Sequence, residues 1–93
     1  MDNNTTTKKR DPVFHDLKID WIYFPYIISE TKSYEIRKND RDYRVGDILI
    51  LREWRPDIKE YTGRLCTREV VWILNRGEFG LEYSFIVMTL KKY

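Results

Sequence analysis

Ninety-three residues, 42% of them apolar and 34% charged, are too apolar for a disordered chain and too few for more than one domain. No apolar run exceeds about five residues, as in Val70–Leu74, against the ~20 that a membrane span needs, and MDNNTTTKKRDP has no apolar stretch of the kind a secretory leader carries. The formal charge is only +2, and residues 1–10 and the pair Lys91–Lys92 each contribute +2 while the body between them nets −2, so bulk attraction to phosphate is weak and any binding has to come from local arrangement.

In chain order, residues 1–12 are polar and aperiodic and end at Pro12, which predicts a mobile arm followed by one domain over 13–93. Val13–Ile19 alternates and predicts a first strand over 14–19. Asp20 is a candidate cap for a short helix over 21–29, with Trp21, Phe24 and Ile28 at helical spacing, although Pro25 inside it delays or bends the helix. Further strands are expected near 34–38, 47–54, 66–74 and 83–90, separated by polar loops at 39–46, 56–61 and 76–81. Five or more short strands and one or two short helices in so short a chain predict a mainly β, α+β domain, a small barrel or strongly curled sheet. Leu17, Ile19, Phe24, Ile28, Ile36, Ile48, Ile50, Val70, Trp72, Phe85 and Val87 form the expected core. The 14 aromatic rings supply much of its area.

One cysteine (Cys66) and one histidine (His15) exclude an internal disulfide and leave too few ligands for a Cys/His zinc site. Nothing in their spacing joins them as nucleophile and base, so a buried Cys66 and a hydrogen-bonded His15 are expected. No phosphate-binding glycine loop and no nucleophile elbow occurs. No metal or cofactor is therefore expected. The lone thiol and the missing leader predict a cytoplasmic location. The densest chemistry lies in 32–55, with seven bases and five acids. Glu35 and Arg37 share one face of a strand. A carboxylate beside a guanidinium can read a base edge, and neighbouring Tyr34 and Trp54 can stack on an unpaired base. The simpler reading of the same spacing is a surface ion pair of small energetic value. Arg52, Glu53 and Trp54 are equally balanced between a pocket mouth and an ion pair beside a core tryptophan.

These residues also carry a resemblance. His15-Asp16-Leu17-Lys18-Ile19, Tyr23-Phe24, Lys32-x-x-Glu35-Ile36-Arg37-Lys38-Asn39-Asp40-Arg41-Asp42, Val45-Gly46-Asp47-Ile48-Leu49, Leu51-Arg52-Glu53-Trp54 and Tyr61-Thr62-Gly63-Arg64 resemble, over about 13–90, the small bacterial and phage proteins of the DUF3850 family. These fall in the ASCH group of the PUA-like superfamily. The resemblance implies a PUA-like curled barrel with one or two helices at its side. The ASCH signature Gly-x-Lys-x-x-Glu-x-Arg is matched by 30–37, except that Glu30 stands at the glycine. That glycine ends a helix in the left-handed region, so Glu30 is expected to strain the turn. Pro25 and Trp21 also depart from the family helix, which is expected to be displaced.

The resemblance further implies that single-stranded RNA or a modified nucleotide is held in a cleft beside this motif, with Lys32, Glu35, Arg37, Arg41 and Arg52 on its rim and Tyr34 or Trp54 stacking. The alternative it implies is an amidohydrolase acting on a modified nucleoside such as N4-acetylcytidine. Lys32 matches the lysine of those enzymes, but Glu35 stands where they carry threonine, and Glu53 and Glu69 are the candidate carboxylates. A third possibility is a protein-interaction domain of a phage or mobile element. A monomer is the expected state, in a bacterial cytoplasm.

Overall fold

The computed structural model describes residues 10–75 and 77–93. Among these the elements run β1 (Phe14–Asp20), α1 (Phe24–Ile28), β2 (Tyr34–Lys38), β3 (Ile48–Arg55), β4 (Glu60–Leu74), a 3-10 turn (Glu78–Gly80) and β5 (Phe85–Lys92). The strands form one mixed, curled sheet in the order β1-β3-β4-β5-β2, a half-barrel with β1 and β2 at its two edges. β1 runs parallel to β3 and the other pairings are antiparallel. The mainly β fold read from the sequence is the fold observed. Residues 1–9 of the expected arm lie outside the described residues.

The concave face holds the core. Leu17 and Ile19 of β1, Leu49 and Leu51 of β3, Val70 of β4, and Ile86, Met88 and Leu90 of β5 close on Phe24 and Ile27 of α1. Leu17, Ile19, Phe24, Ile48 and Val70 are buried as expected. The remaining expected core positions are not. Ile50, Phe85 and Val87 are half-buried, and Ile36 is 50% exposed, because β2, β3 and β5 turn their other set of alternate residues inward. A strand that is apolar at consecutive positions does not announce which set faces in. Trp72 is 57% exposed for a different reason. A register shift between Val70 and Trp72 inserts a bulge, so the two residues lie on opposite faces although they are two apart.

Helix α1 is shorter than expected and starts later. Its first turn contains Pro25, where the missing N–H removes no helical bond, and the five-residue length brings Ile27 rather than Ile28 beside Phe24 in the core. Its carbonyls are closed by Ser29 N–H to Pro25 O at 3.0 Å, Glu30 N–H to Ile27 O at 3.1 Å and Lys32 N–H to Tyr26 O at 2.9 Å. Glu30 makes this turn at φ 63°, the left-handed conformation that glycine adopts freely. The buried Arg68 adds a bond from β4 to Ile27 O at 3.0 Å. β4 begins at Glu60 rather than near 66, because the β3–β4 hairpin continues past a second register shift beside Gly63.

Candidate functional site

The curl of the sheet leaves β1 and β2 facing each other without pairing. In a parallel pair, alternate residues direct both main-chain groups to the same side. The bonds Ile48 N–H to Val13 O and Trp21 N–H to Trp54 O show that the odd residues of β1 address β3. The even residues therefore offer their carbonyls to the open edge, and arginine side chains reach them. Arg37 of β2 donates to Lys18 O at 2.5 Å, and Arg41 donates to Asp16 O at 3.0 Å. The half-barrel is thus closed by guanidinium groups rather than by a strand ladder.

Between these edges lies a cleft of about 500 Å³. Lys32, Tyr34, Glu35 and Arg37, four of the expected site residues, line it together. Glu35 points inward from β2 and is only 6% exposed. One carboxylate oxygen accepts from Lys32 Nζ at 3.2 Å and the other from Arg37 Nε at 2.7 Å. Lys32 also donates to Tyr34 O at 2.9 Å and lies 4.8 Å from the Tyr34 ring centroid. The signature residues form one connected, largely buried ion-pair network, and their charges satisfy one another.

The other three expected residues lie elsewhere. Arg41 is spent on the β1 edge. Arg52 faces out of the barrel, where its Nε is shared between both Asp16 oxygens at 2.8 and 2.9 Å. It lines a separate hollow with Tyr61, Gly63 and Arg64. Trp54 also faces out, edge-on to Tyr61, and its ring face is covered by Lys18 Nζ at 4.0 Å from the centroid. Glu53 points into the barrel, accepting from Thr62 Oγ1 and paired with Arg64 at 3.2 Å. Glu69 pairs with Lys91 at 3.8 Å.

Sequence reasoning missed two lining residues of consequence. Four cations (Lys18, Lys32, Arg37 and Lys38) and two carboxylates (Asp20 and Glu35) line the cleft, so it nets +2 in a body that nets −2. Asp20 accepts from the Ile22 amide at 3.1 Å and Glu35 from Lys32 and Arg37. Lys18 lines the cleft from β1 but turns its ammonium over the outer Trp54 ring, and Lys38 lines it from β2; neither has a carboxylate in contact among the described residues. Glu82 feels the charge of Lys38 but bonds Ser84 instead. Both lysines are exposed strand residues, and only the knowledge that β1 and β2 are the facing edges gives them meaning. Tyr23, half exposed, adds a second ring to the wall beside Tyr34.

His15 and Cys66 do not meet as a catalytic pair. His15 packs 4.6 Å from the Tyr43 ring, and its Nε2 lies 2.8 Å from Asp47 Oδ2. Cys66 is half-buried opposite Leu51, and burial pushes its thiol up in pKa.

The chain is 42% identical over 72 residues to an uncharacterized 12.9 kDa protein in the GpA 3' region of Escherichia phage P2. The match covers 77% of this chain and 64% of that protein, so the chain spans under two thirds of the relative's length. The model of a domain of unknown function, DUF3850, matches residues 14–90. With most of the chain inside that match, it belongs to the DUF3850 family.

Proposed function

We propose that this domain is a binding module of the ASCH, PUA-like kind, which holds single-stranded RNA or a modified nucleotide in the cleft between β1 and β2. The observation that carries the reading is the composition of that cleft. Lining residues of formal net charge +2 accompany the Tyr23 and Tyr34 rings and the half-buried Phe85. An anionic group joined to a flat aromatic one matches such a wall. The Lys32–Glu35–Arg37 network fixes the shape of the floor, and its charges are already paired.

The test is titration of labelled RNA oligonucleotides differing in one base, at ~50 mM and ~200 mM salt. Affinity should fall with salt, and Arg37→Ala should weaken it. Glu35→Gln separates two roles. A shift in base preference means that Glu35 accepts from the base. Unchanged preference means that it serves only to hold Lys32 and Arg37. No binding at ~50 mM salt ends the reading. A second reading, hydrolysis of an amide on a modified nucleoside, draws on the 3.2 Å contact between Lys32 and Glu35 inside the cleft. Incubation with N4-acetylcytidine and chromatography of the products decides it.

A further inference from the structure

We infer that the nucleotide site continues from the cleft onto the outer face of β2, β5 and β4, where the Trp72 ring stacks a second base of the same strand. The inference rests on the nucleotide-binding reading and sets the smallest full ligand at two linked nucleotides. Directly opposed residues of antiparallel strands share one face of the sheet. Trp72 is opposite Thr89 and Thr89 is opposite Tyr34, while Leu74, Val87 and Ile36 form the next row. This is the face away from the buried Glu35, Ile86 and Met88. Tyr34 and Ile36 also line the cleft. Cleft and outer face therefore meet along β2, and Trp72 stands two strand spacings, roughly 10 Å, from Tyr34.

The three tryptophans are housed differently. Arg55 covers Trp21 at 4.1 Å from the ring centroid, and Lys18 covers Trp54 at 4.0 Å. Among the described residues no cation and no second ring stands over Trp72, the most exposed of the three at 57%. The bulge after Val70 is what turns it outward, since regular alternation would send it to the core side with Val70. A bulge beside a binding site characteristically re-aims a side chain in this way. Rings on one sheet face can stack successive bases of a single strand. Neither row carries a carboxylate that would repel the linking phosphate. Of the six side chains only Tyr34, Ile36 and Trp72 are exposed, far fewer than the roughly 20–30 residues a side of a stable protein interface, so the patch suits a base rather than a second copy of the chain.

The probes are a ribonucleoside 5′-monophosphate and the 5′-phosphorylated di- and trinucleotide of the same base, for each of the four bases, titrated at ~50 mM and ~200 mM salt. The dinucleotide should bind about 10-fold or more tightly than the monophosphate, the size of one base stacked on a ring. Trp72→Ala should remove about 10-fold from the di- and trinucleotide affinities and change that of the monophosphate by less than about 2-fold. The ring is uncharged, so this loss should be the same at both salt concentrations. Trp72→Phe keeps a stacking ring and should recover most of the affinity. Circular dichroism of each variant checks that the fold is intact. Undiminished dinucleotide affinity in Trp72→Ala, or an equal loss for the monophosphate, overturns the inference and leaves the cleft as a nucleotide site. A wild-type dimer in sedimentation that Trp72→Ala converts to a monomer assigns the face to a second copy and also overturns it. Failure of every probe at ~50 mM salt overturns the inference together with the reading beneath it.

Discussion

Asp47 is 1% exposed and ties the 10–15 segment to its own turn at 44–47. Its carboxylate accepts from Arg10 at 2.6 Å, from His15 Nε2 at 2.8 Å, and from the Val13 and Arg44 amides at 3.1 Å each. A carboxylate only accepts, so His15 carries a proton on Nε2. Burial by itself raises the Asp47 pKa, but the bonds from His15, Val13 and Arg44 and the charge of Arg10 more than reverse it, leaving the carboxyl below its ordinary value. A carboxyl depressed in the folded state contributes stability that is complete above the unfolded value of about 3.9 and is lost as pH falls through the folded value. Asp47→Asn should therefore cost ~2–4 kcal/mol at neutral pH. The gap to the wild type should narrow as urea unfolding is repeated toward pH ~2, and a constant gap would show that the carboxylate charge is irrelevant. Glu30 offers the opposite change. A side chain at φ 63° costs roughly 1–2 kcal/mol, and its exposed pair with Lys92 returns little. Part of the gain from glycine is offset by the greater freedom of the unfolded chain. Glu30→Gly should raise the unfolding midpoint by ~2–4 °C, whereas Glu30→Ala should not, and calorimetry of the two variants separates relieved strain from a lost charge.

At the scale of elements, the strands were legible and their faces were not. Alternation located β1, β2, β3 and β5 to within about two residues at either end, because a period of two survives in the sequence. Phe85-Ile86-Val87-Met88 is apolar at every position, so the pattern is compatible with either face turned inward; the choice of Ile86 and Met88 is made by contacts across the barrel. The bulge after Val70 has no local mark, since its cause is the pairing with β5. The same limit governs the site. Lys32, Glu35 and Arg37 were found because they lie on one short segment, while Lys18 and Lys38 come to line the same cleft only because two strand edges meet. The faces can be tested by paired substitutions. Ile86→Ala should cost ~2–5 kcal/mol, and Phe85→Ala, at a half-buried position, should cost clearly less. The reverse order in denaturant titration would mean that β5 presents Phe85 to the core.

For the whole molecule the unusual feature is that a five-stranded sheet has curled far enough to bring its edges together without pairing them. A closed ladder would bury both edges and leave no cleft; fully separate edges would expose two templates for unwanted pairing. Arg37 occupies the middle course. Its Nε is bound to Glu35 at 2.7 Å and its guanidinium reaches across to the Lys18 carbonyl, so one side chain ties β2 to β1 and sets the width of the gap. Removing it should loosen the edges while leaving the central strands intact, because β3 and β4 take their ladder bonds from each other and from their other neighbours. Arg37→Ala is accordingly expected to speed amide exchange in 14–20 and 34–38 and to leave exchange in 66–74 nearly unchanged. Arg37→Lys keeps the charge but not the planar fork that spans both acceptors, so it should restore protection only in part. Uniform acceleration across all five strands in Arg37→Ala would show that the residue supports global stability rather than the closure of the cleft, and unchanged exchange would show that the β1–β2 gap keeps its width without it.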